Sequence, residues 1–507
     1  MIEMTSWNQS AIRFIDPPRF TWKPVKGGAT YEIQCAAADN HVVRHVAKEP
    51  YFDFSTHWEQ FPLGEVYWVV VAKDANGNVF EQSKMRRFTK VPDFDGKTEM
   101  PENWEESAIR NVEWLLAFSK SNDDLPLLMR SSGVTLYEST IDYKSEGSQL
   151  EIVYPALHYP SYIFLFLEIS NRLPGTELGA KANQVAHFIG DWLVNHSLPP
   201  DWKCSRFPIT AWVTGDAPEG NIPESDGITL IRAARVGEVM LLLYRSSGDV
   251  QYLNYAKHLA DALVDLQNSD GSWPYRVSPV TGAVVEEYTS GGIFIAKFLD
   301  EMLNIEHIDR YKSSIDKVVR WTLDQPVQTN RWQGMYEDVK ELPPYSNLEN
   351  WDACETINFL CKHAEEIPSA IDAAESINRF IEDQFVIFGP HVNHLACQTV
   401  FPTVMEQYIF YYPMEVHTAN WLVSLISLHQ ATKKEIYKIK ALRAANAITR
   451  MQHAEGRYST SGVDWRFGTP LDPSFADWYG CNAMAALSLL KCQEYFQTLL
   501  TAAGDID

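Results

Sequence analysis

The chain has no CxxC pair and no cysteine spacing of a metal site. Its seven cysteines, Cys35, Cys204, Cys354, Cys361, Cys397, Cys481 and Cys492, are scattered along 507 residues and read as buried free thiols. There is no basic run of five or more, and 66 Asp plus Glu against 43 Lys plus Arg leave a net charge of −23. That balance argues against nucleic acid and anionic membrane as partners. No apolar stretch approaches the roughly 18 residues of a membrane span. The opening MIEMTSWNQS lacks the apolar region of an export signal, so the expected location is the cytoplasm, or the periplasm or exterior if such a signal has been removed. HExxH, P-loop and GxGxxG patterns are missing, which disfavours zinc protease, NTPase and dinucleotide roles. DxDD and DDxxD, which a terpene cyclase would need, are missing too. Clustered carboxylates are able to hold Ca²⁺, but no spaced ligand set demands it, so neither metal nor cofactor is expected.

What is present is ordinary for a folded protein: 45% hydrophobic and 21% charged residues, with no long Gly, Ser or Pro tract. The length points to one large closed domain plus a small one. The 16 Trp and 23 Tyr exceed what such a core usually needs. Flat rings beside polar groups suit sugar binding, and core packing is the competing use.

Residues 1–95 alternate like strands, in FTWKP, YEIQCAA, YFDF, VYWVVVAKD and MRRFTKV, with Asn76-Gly77 as a hairpin turn. They predict a small antiparallel β-sandwich. The pieces PPRFTWKP, YEIQ and LGEVYWVVVA resemble the fibronectin-like front domain of heparinase-type lyases and related uronide-degrading enzymes. Such a domain is able to pack on the rest of the chain, cover part of a site or join copies into a homo-oligomer. A linker at 96–103, within PDFDGKTEMPEN, hands over to helices at 104–507.

Those helices repeat. Strongly apolar ones begin near Tyr154, Asp226, Tyr288, Asn350, Pro413 and Phe475, an even period that marks a repeat architecture. Each follows an amphipathic helix such as VQYLNYAKHLADALVDLQ. Helices apolar on one face belong outside, and those apolar all round, such as ITLIRAARVGEVMLLLY, belong inside. Six such pairs predict an (α/α)6 toroid, so the fold class is mainly α with a small β-sandwich in front. Links from inner to next outer helix are short, and those from outer to inner are long. All six long loops are therefore expected on one face, at the inner-helix N-termini, where loops on a rigid scaffold carry function.

That face gathers Tyr154, His158, Glu224, Asp226, Glu286, Glu287, Tyr288, Glu349, Trp351, Asp352, Glu355, Tyr412, Glu415, His417, Asp477 and Trp478. Carboxylates in a first turn are explained by helix capping, worth roughly 0.3–1 kcal/mol each; the aromatics that accompany them are not. The loops DGSWPYR, NRWQGMYED and GRYSTSGVDWRF each pair an aromatic with Arg. Trp273 and Trp332 are thus candidate stacking platforms, and Arg276, Arg331, Arg457 and Arg466 candidate forks for a carboxylate. Six N-termini aimed at one mouth favour an anionic sugar.

Glycoside hydrolysis needs one carboxylic acid to protonate the leaving oxygen and one carboxylate to activate water or attack carbon. Asp226 and Asp352, with Glu224, Glu349 and Glu355 beside them, supply such pairs. Toroid, sandwich and acidic funnel together resemble uronide-acting glycoside hydrolases, including unsaturated glucuronyl hydrolases and the family 154 β-glucuronidases. The resemblance implies a glycoside hydrolase that removes a uronic acid from an oligosaccharide. The alternative is a polysaccharide lyase, with Tyr288, Tyr412, His158 or His417 as the base in β-elimination and Asn350, Asn420 or an Arg on the carboxylate; an epimerase would reuse the same groups.

Overall fold

Side-chain alternation builds the first layer of the structure, a computed structural model that describes residues 1–4, 13–37, 41–92, 100–117, 127–129, 133–135, 152–210, 212–213, 227–334, 348–388, 401–407, 413–460 and 476–504. Among the described residues of the N-terminal region there are eight strands: β1 (Arg13–Phe14), β2 (Arg19–Thr21), β3 (Thr30–Ala37), β4 (Val42–Ala47), β5 (Tyr51–Asp53), β6 (Gly64–Lys73), β7 (Val79–Gln82) and β8 (Arg86–Lys90). One sheet has the order β1-β8-β6-β3-β4, with β7 beside β6, and β2 pairs with β5. Tyr31, Ile33, Cys35 and Ala37 of β3 point inward, as period-2 patterning requires. They join a core in which Phe20 of β2 stacks on Trp68 of β6 with centroids 4.8 Å apart. One pairing departs from the antiparallel expectation: β1 runs parallel to β8, tying the entry of this region to its exit.

Twelve long helices follow among the described residues: α1 (Trp104–Ala117), α2 (Pro155–Arg172), α3 (Glu177–Asn195), α4 (Leu230–Ser247), α5 (Val250–Asp265), α6 (Gly292–Leu303), α7 (Asp309–Asp324), α8 (Trp351–Lys362), α9 (Ala370–Gln384), α10 (Glu415–Thr432), α11 (Glu435–Arg450) and α12 (Tyr479–Gly504). A single helical turn, Pro326–Thr329, follows α7. Even-numbered helices contact one another in a closed cycle, α2–α4–α6–α8–α10–α12 and back to α2. Each packs on the outer helix after it, and α12 packs on α1. This is the (α/α)6 toroid. The sequence dictates the two layers: α4 buries every residue from Leu230 to Leu241, whereas α7 buries only one stripe, among it Tyr311, Ile315, Val318 and Trp321. Gly237 has a steric reason, since a Cβ there would stand 2.3 Å from the Phe298 ring of α6. No described helix is long and apolar enough to cross a membrane.

Three inner helices begin four residues later than their sequence pattern predicts, at Leu230, Gly292 and Tyr479 rather than at Asp226, Tyr288 and Phe475. For two of them the reason is β-structure, since Ile228–Thr229 and Ala476–Trp478 are short strands paired with neighbouring loops; before the third, irregular chain follows the strand Val284–Glu286. Tyr288, Asp477 and Trp478 therefore precede their helices instead of capping them.

The β region docks through charge. The ammonium of Lys440 on α11 is 2% exposed and bridges Asp16 and Glu382, the latter at 2.7 Å. Arg379 of α9 reaches Asp53 at 2.5 Å, and the Arg19 backbone N–H donates to Asp383 at 2.9 Å.

Candidate functional site

Four small antiparallel ribbons lead into the inner helices at one end of the toroid. One joins Ile228–Thr229, Arg276–Val277 and Val284–Glu286; another joins Val386–Ile387, Thr403–Met405 and Pro413–Met414. They fix where the first turns of α4 and α10 present their side chains, and an isolated bridge from Glu349 to Gln407 does the same for α8.

Asp352 lies at the centre of this floor. It is the second residue of α8 and 1% exposed. Burial pushes its carboxyl up to about 7, with Ser290, Arg232 and Glu349 opposing the rise and Glu355 adding to it. Ser290 Oγ donates to Asp352 Oδ2 at 2.5 Å. The other oxygen, Oδ1, is buried and has no hydrogen-bond partner. The neighbouring Glu349 carboxyl acts on the same group, and a buried polar atom left without a hydrogen bond in the fold calls for explanation. Gly291 stands close by: a Cβ there would lie 3.2 Å from both Asp352 oxygens.

Glu349 is a cap. It accepts from the backbone N–H of Trp351 and from that of Asp352 at 3.2 Å, and burial with the adjacent Asp352 charge raises its carboxyl well above the ordinary range. Glu355 sits deeper. Burial raises its pKa, but Lys297 at 3.0 Å, with Lys491 and Arg235, outweighs this and lowers it overall. Glu238 of α4 lies 3.7 Å from the Lys297 ammonium.

Two arginines missed in the sequence, Arg232 and Arg235 of α4, complete the floor, 0% and 4% exposed. Their guanidinium carbons lie 5.7 and 4.7 Å from the Trp351 ring centroid. The signal was there, since two charges one turn apart in the otherwise apolar ITLIRAARVGEV have no surface to occupy. They also act on His158, which burial, then Arg232 and Arg235, push down to about 3. His417 is lowered to about 3 by burial and held by Asn350, with Nδ1 3.0 Å from its side-chain oxygen. Both imidazoles are neutral at ordinary pH.

Several residues singled out in the sequence serve packing or pairing instead. Trp273 is buried, and its indole N–H donates to the Leu263 carbonyl at 2.7 Å. Trp332 is 0% exposed and packs near Phe380. Neither ring presents a face for stacking, because each loop turns its indole under the toroid rim. Arg276 pairs with Glu286 at 3.1 Å, and Arg457 with Asp477 and Glu455, both at 2.8 Å, so their charges are already engaged within the fold. The Tyr288 hydroxyl donates to the Arg331 carbonyl at 2.8 Å, under the Arg331 guanidinium. Tyr154 is half-buried beside His158. The half-buried Trp478 is fixed through its backbone, its N–H donating to Thr460 Oγ1 at 2.7 Å. Glu224, Asp226, Tyr412 and Arg466 lie outside the described residues. Among the described residues no group of three or more His, Cys, Asp and Glu gathers as metal ligands do.

A buried acid beside two arginines, at the floor of an α/α toroid, is the setting in which known proteins become informative. A family 76 glycoside hydrolase from a bovine Bacteroides thetaiotaomicron strain matches over 97% of this chain and 98% of its own, at TM-score 0.50 and 11% identity. A D-mannose isomerase matches over 79% and 99%, at 0.55 and 12%. Cellobiose 2-epimerase from Spirochaeta thermophila matches over 78% and 97%, at 0.55 and 12%. The likeness is one of fold. No protein-family model matches the sequence, and no curated protein matches it either.

Proposed function

We propose that this protein is a carbohydrate-active enzyme, a glycoside hydrolase that removes a glucuronic-type uronic acid from an oligosaccharide, in the manner of β-glucuronidases or unsaturated glucuronyl hydrolases. The observation that carries the reading is Asp352, a buried carboxyl poised near neutrality whose Oδ1 has no partner. An acid with a pKa near working pH is what proton delivery to a leaving glycosidic oxygen requires. The second carboxylate, which activates water or attacks the anomeric carbon, is assigned to Asp226, with Glu224 beside it. The sugar-acting toroids of the same fold support the reading by analogy.

The floor speaks against a histidine base. A group pushed down to about 3, as His158 and His417 are, takes up a proton poorly at neutral pH. The deciding experiment is mass spectrometry of products from a panel of glucuronide-capped oligosaccharides. Products summing to substrate plus one water establish hydrolysis; products summing to substrate alone, one an unsaturated uronate, overturn it in favour of elimination.

Ser290 offers a sharper check. Its hydrogen bond favours the ionised form of Asp352, so Ser290→Ala raises that pKa, against an unchanged background of Glu349, Arg232 and Glu355. A general acid works below its pKa, so the alkaline limb of kcat/KM is expected to move to higher pH in the variant. A limb that stays in place or moves down removes Asp352 from the role of acid.

A further inference from the structure

Arg235 is a buried cation that makes no salt bridge among the described residues. It is 4% exposed, Nη1 has no hydrogen-bond partner, and Nη2 reaches only the Met484 sulfur at 3.8 Å. Glu238 and Glu355 act on it through space, but both lean on Lys297 instead, at 3.7 and 3.0 Å. A guanidinium keeps its charge in any protein interior, and a buried unpaired charge is among the most costly features a fold can carry. Such a group persists where something outside the chain completes it.

The surroundings narrow what that is. The guanidinium lies 4.7 Å from the centroid of the Trp351 ring, leaving its N–H edge to meet a ligand. Arg232 adds a second positive charge, 0% exposed, while His158 contributes none. Asp352 and Glu349 are both raised toward their neutral forms. Asn420, 5% exposed on α10, has a side-chain N–H₂ that is likewise buried with no acceptor. We infer that Arg235, seated on Trp351, is the residue that receives the carboxylate of a uronic acid, a planar anion that its fork matches in shape and charge. This rests on the sugar-acid reading above and names the specificity-determining residue within it. The same floor then holds the acid, Asp352 of α8, and the anion anchor, Arg235 of α4, on inner helices either side of α6, so that the bound carboxylate fixes which glycosidic oxygen meets Oδ1.

The experiment has two arms with the full chain. In the first, isothermal titration measures D-glucuronate, D-glucose and glucose 6-sulfate against wild type, Arg235→Met and Arg235→Lys. Glucuronate is expected to bind wild type and to lose about 30-fold or more in Arg235→Met, the scale of a charge-assisted hydrogen-bonded pair. Arg235→Lys keeps the charge but not the fork and is expected to lose less, and glucose should change little in either variant. Arg235→Lys serves alone if the Met variant does not fold. Equal losses for glucuronate and glucose, unchanged glucuronate binding, or a larger effect on the sulfate would each overturn the assignment. The second arm compares kcat/KM for paired glucuronides and glucosides, where the loss is expected in KM for the glucuronide. Binding that depends on Arg235 without any hydrolysis defeats the enzymatic reading and keeps the anchor; hydrolysis whose uronide preference survives Arg235→Met defeats the anchor and keeps the enzyme. A wild type that neither binds nor cleaves any uronic acid defeats both.

Discussion

Asp352→Asn is expected to lower kcat on a glucuronide about 10²–10⁴-fold, the range supplied by one positioned proton donor, with KM little changed. The amide keeps the shape of the carboxyl and an oxygen for Ser290, so the floor stays folded. A stability measurement separates this from a structural lesion. The folded-state pKa of about 7 lies above the ~3.9 of an unfolded Asp. The native state therefore loses stability as pH rises from about 4 through about 7, by something on the order of 4 kcal/mol once ionisation is complete. The Asn variant has no proton to lose there. Melting curves at pH 5 and pH 8 should show wild type weakened at the higher pH and the variant spared that loss. If both decline alike, a different group is responsible for the buried charge and the acid must be sought elsewhere.

The second large effect concerns the fold. Gly456 has φ +108°, and a Cβ there would stand 2.4 Å from the backbone oxygen of Arg110 in α1. Neither fault is relieved by rotating a side chain, because the contact is with main chain. Gly456→Ala is expected to cost about 3 kcal/mol or more, combining strain in a glycine-only conformation with a steric clash. Thermal unfolding measures it. The control is Gly77→Ala in the β region: that φ is +84°, but nothing lies within 4 Å, so only the strain remains. A Gly456→Ala protein that melts with the Gly77→Ala protein would mean that α1 is not held as described.

The toroid was legible because its evidence is periodic: six all-apolar helices at even spacing leave few other ways to close a core. Asp352 and Glu349 were legible by position, at the start of one of those helices. What separates them is burial geometry, which spacing does not encode: Glu349 turns back onto two backbone N–H groups, whereas Asp352 Oδ1 faces none. Trp273 and Trp332 were misread because a loop that pairs Trp with Arg and Gly does not reveal which way the ring turns. Nor does such a loop reveal the partners of its arginine: Arg276 lies beside Glu286, and Arg457 beside Glu455 and Asp477. Arg232 and Arg235 passed unnoticed because attention went to helix starts, while the anomaly lay within a helix.

The toroid closes on itself through residues far apart in the chain. Asn111 of α1 donates to Asn482 of α12 across 371 residues of sequence, and Trp104 meets the Phe496 ring with centroids 5.2 Å apart. A growing polypeptide releases α1 first and its partner last, so the apolar face of the earliest helix waits through most of synthesis without cover. The loop-closure entropy of that contact is met only at the end, and with contacts this non-local, folding is slow relative to other helical proteins. The two ends of the helical part are also neighbours in space. A circular permutant that joins them and opens the chain at a short inner-to-outer link would make the α1–α12 contact local and move the long-range closure to the new break, with the same ring reached.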